Sequence, residues 1–234
     1  MVIDAVLRPV RSGNVYEDTV ERLLQAVKLG IVPRGARLPA ERHLAVRLGV
    51  SRETLRSAIN ALQEEGYLES RRGRYGGTFV TYQPAAQRRR SGIPHEIRGS
   101  ISDILTLRSV LEPGGAAVAA SRDLGPQARA DLRARLDGVM NAGPADYRQA
   151  DSWLHLTLAE LAGSPSLLVA VADVRVQVNE LLDTIPLLPP NIEHSNDQHA
   201  AIVDAVLAGK PEQARHAMAE HLDGTAALLR GFLG

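Results

Sequence analysis

Four residues in the second half of the chain have the types and the spacing of metal ligands. Asp151 and His155 lie four positions apart, so on a helix they would share one face, beside a stripe of leucines. His199 and His221 fall on apolar faces of two later predicted helices and are expected to point inward. Buried carboxylates and imidazoles without partners are costly, and convergence on a divalent cation would remove that cost.

The same four residues also allow a simpler interpretation. Asp151 and His155 could be an ordinary pair on the surface of a helix, and the two remaining histidines could be core residues bonded to backbone groups. If a cation is bound, one carboxylate and three imidazoles suit zinc, nickel, manganese or iron. The residue types alone do not distinguish these metals.

A second group with chemical potential lies near residue 50 and is cationic. Ser51 is a typical N-cap residue for a helix over 52–65, whose apolar stripe leaves Arg52 and Arg56 pointing outward near its N-terminus. Arginine can bond a guanine edge through two N–H groups, whereas the hydroxyls of Ser51 and Thr54 can hold phosphates. This arrangement is typical of a recognition helix in the major groove of DNA.

The glycine-rich turn that follows carries further arginines. Arg72 and Arg74 lie at its tip, where glycines allow the backbone to come close to a duplex, so the turn suits a wing in the minor groove. Scattered arginines can also form a merely solvated surface. The order of the surrounding elements and the local charge favour DNA binding.

The elements that would position these residues fall into two groups. Helices are predicted over 15–29, 39–48 and 52–65, followed by strands over 67–69 and 78–82, which is the order of a winged helix-turn-helix. Residues 83–97 mix proline, glycine, serine and three consecutive arginines, which predicts a linker. The remainder is predicted to be an all-α bundle, with helices over 101–121, 126–140, 145–162, 167–184, 196–208 and 211–231.

The fold class is therefore mainly α, with a small β-hairpin wing in the first domain. The predicted domains are residues 10–82 and 98–234, joined by the linker at 83–97. Ser195 and Gln198 resemble a capping box and are expected to start the fifth helix of the bundle.

Composition limits the classes of function. The 234 residues include no cysteine, which excludes disulfides and thiolate chemistry, and 44% are hydrophobic, which is enough for a core. The net charge of zero hides an asymmetry: residues 1–92 hold 16 Arg/Lys against 9 Asp/Glu, and residues 93–234 hold 11 against 18. The basic half is expected to bind a polyanion. Charges interrupt the apolar N-terminus and the stretch 167–178, so neither a signal peptide nor a membrane span is expected.

The basic half resembles a known family. The stretch GIVPRGARLPAERHLAVRLGVSRETLRSAINALQEEGYLESRRGRYGGTFV resembles the DNA-binding domain of the GntR family of bacterial transcription regulators, most specifically in LPAERHLA and VSRETLRSAINALQEEGYL. The similarity extends over about residues 15–82. It implies operator contacts by Arg42, Ser51, Arg52, Arg56, Arg72 and Gly73, with Arg37 and Thr54 as further candidates.

The acidic half resembles the FCD domain, the ligand-sensing module of the fatty-acid-regulator branch of that family. The similar segments are ILTLRSVLEPGGAAVAASR, ADSWLHLTLAELAGSPSLL and HAAIVDAVLAGKPEQARHAMAEHL. The resemblance implies a divalent metal held by Asp151, His155, His199 and His221, and a small carboxylate as effector. Arg108 matches the arginine of an R-x₃-E motif, and it could clamp that carboxylate or simply pair with Glu112 along the helix.

Together these patterns predict a cytoplasmic, ligand-responsive DNA-binding regulator rather than an enzyme. It is expected to be a homodimer on a pseudo-palindromic operator and to act as a repressor, the more common outcome in the family the chain resembles. One alternative is a metal-dependent hydrolase in which the winged helix binds proteins and Glu160 or Glu220 serves as the base. Another is a chromatin-like DNA-binding protein without a sensor.

Overall fold

The computed structural model describes residues 2–10, 15–73, 76–82 and 97–233. The chain divides into two compact units, residues 1–84 and 85–234. This division falls inside the predicted linker, of which residues 83–96 lie outside the described residues. The predicted fold class is confirmed: the first unit is a winged helix-turn-helix and the second is helical throughout its described part.

The first unit consists of helices followed by one hairpin. The helices are α1 (Val2–Val6), α2 (Val15–Lys28), α3 (Glu41–Leu48) and α4 (Arg52–Glu64), and the strands are β1 (Leu68–Arg71) and β2 (Gly77–Val80). The two strands are antiparallel, with Leu68 opposite Val80 and Arg71 opposite Gly77. Arg37 adds a short bridge to Phe79, which ties the segment before α3 to the wing.

The first unit begins earlier than the predicted boundary at residue 10. Val2 and Val6 of α1 are buried, and the amide of Val10 donates to the carbonyl of Leu48 at 2.9 Å. Asp4 of the same helix forms an ion pair with Arg47 of α3. A helix of five residues is too short to give a clear periodic pattern in the sequence. In the structure, two of its residues are buried against the rest of the unit.

The turn between α3 and α4 fixes the predicted recognition helix. Gly49 ends α3 with φ +67°, a left-handed conformation that a glycine adopts without strain. Ser51 then caps α4 as predicted, because its Oγ accepts from the amide of Thr54 at 3.0 Å. Leu55, Ala58, Ile59 and Leu62 are buried, so the opposite face of α4 is exposed.

The second unit is a bundle of six described helices. They are α5 (Ile97–Ala120), α6 (Pro126–Met140), α7 (Tyr147–Leu161), α8 (Pro165–Leu182), α9 (Pro189–Leu207) and α10 (Pro211–Leu233). Helix α5 contacts α7, α8, α9 and α10. These five helices carry the buried polar residues that the structure describes in the second unit. Two apolar clusters support the bundle, one around Leu154 and Ile202 and one around Val178 and Leu229.

The start of α9 corrects one prediction. The helix begins at Pro189 rather than at residue 196, so Ser195 lies inside it and is not part of a capping box. Proline lacks an N–H and has a fixed φ, both of which suit the first turn of a helix, and Pro189 therefore supplies the start signal. Within the described residues, no helix has the length and hydropathy needed to cross a bilayer.

Candidate metal centre and nucleic-acid interface

Three helices of the second unit bring the four predicted ligand residues together. Asp151 and His155 come from α7, His199 from α9 and His221 from α10, and all four side chains are buried. One potential ligand atom from each residue lies within 4.8 Å of those from the other three. The alternative of an exposed Asp–His pair is therefore wrong.

The donor atoms of this cluster fit a cation better than they fit each other. Among the described residues, Nε2 of His155 and Nδ1 of His199 are buried without a hydrogen-bond partner. Oδ1 of Asp151 lies 3.1 Å from Nε2 of His199 and 3.6 Å from Nε2 of His155. A buried imidazole nitrogen without a partner is costly, and a metal ion would accept one lone pair from each neutral imidazole.

Contacts to Nδ1 of two histidines favour the tautomer in which Nε2 can bind a metal ion. Nδ1 of His155 contacts the carboxylate of Glu112, and Nδ1 of His221 lies 3.3 Å from Oε1 of Gln198. An acceptor at Nδ1 places the proton there and leaves the lone pair of Nε2 for the cluster. This support of ligating imidazoles by a carboxylate or carbonyl is common around protein-bound metals.

Burial keeps two of these imidazoles neutral. Desolvation lowers the pKa of His199, although Asp151 partly opposes it. Desolvation, together with the neighbouring His199 and His155, holds the pKa of His221 well below its usual value. The neutral imidazole is the form that binds a metal ion.

Arg108 both pairs with Glu112 and retains a free donor. Its Nε donates to Oε1 of Glu112 at 2.9 Å, so the pairing along the helix that the sequence allowed is present. Burial would raise the pKa of Glu112, but Arg108 and His155 outweigh it and hold that pKa far below the usual range. Nη1 of Arg108 is buried and has no hydrogen-bond partner in the part of the chain that the structure describes.

A second buried arginine, Arg175 of α8, was not among the predicted site residues. Its Nη2 contacts Oδ2 of Asp151 and lies 3.2 Å from Oγ of Ser152, while Asn179 donates to the same Oγ at 2.8 Å. Burial opposes ionisation of Asp151, but Arg175 and the histidines outweigh it and hold the pKa of that carboxyl well below its usual value. In the sequence, this residue could have been recognised only as a charge that interrupts the apolar stretch 167–178.

A cavity of about 310 Å³ opens beside the cluster. Its lining includes Arg108, Asp151, Arg175 and His221, so two guanidinium groups and two candidate metal ligands face one space. Cavities of this size hold small molecules, and buried cationic donors at the wall favour an anion.

In the first unit, several predicted DNA-contacting side chains are exposed. Arg42, Arg52 and Arg72 are exposed and have no hydrogen bond or ion pair with other described residues. Gly73 lies in the turn after β1 with φ +103°, a conformation that favours glycine. Arg74, predicted at the tip of this turn, lies outside the described residues.

The other predicted DNA-contacting side chains have partners within the unit. Arg56 Nη2 lies 3.0 Å from a carboxylate oxygen of Glu41, and both side chains are exposed. Arg37 donates from Nη1 to the carbonyl of Gly76 at 3.1 Å. The hydroxyls of Ser51 and Thr54 lie 2.8 Å apart, so the two residues stabilise the start of α4.

Comparison with known proteins gives matches to both units. Residues 15–80 match the family model described as bacterial regulatory proteins of the gntR family, and residues 103–224 match that of the FCD domain. An Escherichia coli (strain K12) protein, whose name assigns it to regulation of an L-lactate dehydrogenase operon, is 31% identical over 238 residues, covering 97% of this chain and 90% of that protein. The HTH-type transcriptional repressor NanR of Cronobacter sakazakii is 26% identical, covering 94% and 87% respectively.

Among solved structures, Escherichia coli McbR/YncC matches with a TM-score of 0.59 and 20% identity. The match covers 94% of this chain and 99% of that one. At this level of identity the likeness concerns the fold alone.

Proposed function

Since the chain belongs to the GntR family of bacterial transcription regulators and carries an FCD domain, we propose that it controls an operator in response to a small carboxylate bound beside a metal ion. The observation that carries this proposal is the cavity, whose lining includes Arg108 and Arg175 together with Asp151 and His221, two of the four candidate metal ligands. An anion entering there would meet both kinds of partner.

The first unit would read the operator with the exposed face of α4 and with the wing. We assign the contacts to the residues predicted from the sequence, namely Arg37, Arg42, Ser51, Arg52, Thr54, Arg56, Arg72, Gly73 and Arg74. Arginines near the N-terminus of a recognition helix reach base edges, whereas hydroxyls and wing residues contact phosphates or the minor groove. The partners of Arg56 and Arg37 would have to be exchanged for DNA when the complex forms.

In the second unit, Asp151, His155, His199 and His221 would hold a divalent cation, which when bound supplies a Lewis-acidic position for a carboxylate. Arg108, which lines the cavity, would fix the same carboxylate through its guanidinium. One carboxylate and three imidazoles suit zinc, nickel, manganese or iron.

Dimerisation and repression complete the proposal. Leu107, Val110 and Val118 are exposed on one face of α5, and an exposed apolar stripe of this kind supports assembly with a second copy. The repressor name of the NanR relative supports repression as the sign of control. A regulator that binds an operator works where the chromosome is, so we place this chain in the cytoplasm.

The hydrolase alternative has no support in the comparisons. Neither Glu160 nor Glu220 is among the residues that line the cavity, and Glu220 is exposed beside His216 at 3.3 Å. Glu112, the carboxylate nearest to the candidate ligands, is bound to Arg108 and His155 and is therefore not available as a base.

Selection of genomic fragments by the purified full chain at moderate salt tests the proposal. We expect enrichment of a site with two-fold symmetry over random duplex, and release of that site when a small carboxylate is added to metal-loaded protein. Equal binding to all duplexes would contradict operator reading. Enrichment that no carboxylate changes would contradict the sensor.

Replacing Arg56 by alanine should cost about 1–3 kcal/mol of operator binding and relax the preference for one base pair, because a guanidinium reading a base edge would be lost. Binding of a panel of single-base operator variants measures both effects. The Glu41→Gln variant is the matched control, since it frees Arg56 from its ion pair and should bind at least as well as the native chain. Uniform weakening across the whole panel would instead identify Arg56 as a phosphate contact.

Replacing Arg108 by lysine should weaken carboxylate binding by about 1.5–3 kcal/mol, because a point charge replaces the planar guanidinium while Glu112 keeps a cationic partner. Calorimetric titration of metal-loaded protein with acetate checks this. The exposed Arg133 of α6 provides a control, because its replacement by lysine should leave the titration unchanged. Unchanged acetate binding in Arg108→Lys would exclude Arg108 from the site.

A further inference from the structure

The cavity beside the candidate metal centre has a polar floor. Arg108 and Arg175 line it there, together with Asp151 and His221. Guanidinium groups are strong partners for a carboxylate. The charged end of a ligand therefore belongs at this floor.

The opposite end of the cavity is mostly apolar, and helix geometry sets its distance from the floor. Leu182 lies seven residues after Arg175 on α8, and Leu228 lies seven residues after His221 on α10. Seven residues are two turns on the same face of a helix, or about 10 Å of rise. The apolar lining at this level also includes Ile185, Leu187, Leu188 and Ile192, from the α8–α9 connection and the start of α9. Arg148, which donates to the carbonyl of Leu182, and Asn191 are polar residues of the same part of the lining.

Between the two ends the lining is mixed. Ser195 and Thr225 line the cavity four residues from His199 and His221, which is about 6 Å of helix rise. A ligand would therefore meet mostly apolar side chains only at more than about 6 Å from the level of His199 and His221. A two-carbon or three-carbon acid would leave the far end empty.

We propose that the cavity selects carboxylates with an apolar body, of which the carboxylate occupies the arginine-lined floor and the body reaches the Leu182–Leu228 end. The inference rests on the proposed function, because it takes the carboxylate site as given and adds the class of molecule that fills it. An extended chain advances by about 1.2 Å per bond. Counted from a carboxylate oxygen, a chain of about five bonds would reach the apolar lining. A chain of about eight bonds would extend to its far end.

Isothermal titration of the Zn²⁺-loaded full chain with straight-chain carboxylates from acetate to octanoate tests this. We expect similar dissociation constants from acetate to butanoate, and from pentanoate onward a decrease of roughly three- to fourfold per added methylene, as for transfer of apolar surface out of water. Dissociation constants that stay constant or rise between butanoate and octanoate would overturn the inference while the carboxylate site itself stands. Failure of every acid, acetate included, would overturn both.

Two variants distinguish the cavity from non-specific adsorption of the longer acids. Leu188→Asn, at the apolar end, should weaken octanoate binding several-fold and leave acetate binding unchanged. Met140→Asn changes an exposed apolar residue outside the lining and should alter neither. Equal weakening of octanoate binding in both variants, or binding of octylamine as tight as that of octanoate, would overturn the inference.

Discussion

Replacing Arg175 by methionine in the metal-free chain is expected to lower the free energy of unfolding of the second unit by about 3–5 kcal/mol, the usual cost of removing one partner of a buried ion pair. Arg175 is fully buried, and its guanidinium contacts the equally buried carboxylate of Asp151. Without it, Asp151 would keep a charge in a low-dielectric site, next to nitrogens that are themselves neutral. Methionine keeps the unbranched apolar stem of the side chain, so most of the loss would come from the missing guanidinium and its contacts.

Urea unfolding followed by tryptophan fluorescence measures this effect in the full chain. Trp153, the single tryptophan of the sequence, lies on α7 beside Asp151 and reports on the second unit alone. Adding Asp151→Asn to Arg175→Met should restore part of the loss, because the uncompensated charge is then absent. The exposed Arg133→Met is the control and should stay within about 0.5 kcal/mol of the native chain. A similarly small loss in Arg175→Met would contradict the structural role of the pair.

Loading the chain with Zn²⁺ should stabilise the second unit by about 2.7 kcal/mol when free metal is 100 times its dissociation constant, and by about 4.1 kcal/mol at 1,000 times, since the assembled ligands exist only in the folded state. A chelator should reverse the gain. Thermal unfolding followed by Trp153 fluorescence, with the metal content verified before and after chelation, measures the shift.

Matched histidine variants decide whether the shift comes from the buried cluster. His155→Ala and His221→Ala should abolish most of the metal-dependent gain, because each removes one of four converging ligands. His216→Ala, at an exposed histidine of α10, should retain the full gain. A gain that survives both cluster variants would mean that the metal binds elsewhere.

Helical periodicity alone was enough to group Asp151, His155, His199 and His221 as inward-facing residues, because each lies in phase with an apolar stripe of its own helix. That they converge in space depends on how the helices pack, and there the family resemblance supplied what the pattern could not. The same reasoning worked for α4, where the cap at Ser51 is encoded within four residues.

Arg175 was missed because its importance lies in a contact with another helix. Within its own segment it looks like a charge that interrupts an apolar stretch, and only the approach of Asp151 from α7 explains its burial. The early start of α9 was missed for a local reason, since Pro189 and Pro190 look like a chain break until the turn that follows them is known to be helical.

Glu112 touches both Arg108 and His155, one with each carboxylate oxygen. We propose that this arginine holds an anion and this imidazole a cation. Each bound species would then change the interaction of its own residue with the single negative charge of Glu112. Their affinities are then linked, and thermodynamic reciprocity requires that whatever factor the anion imposes on cation affinity, the cation imposes on anion affinity. The supply of metal would thereby change the metabolite concentration at which the switch responds.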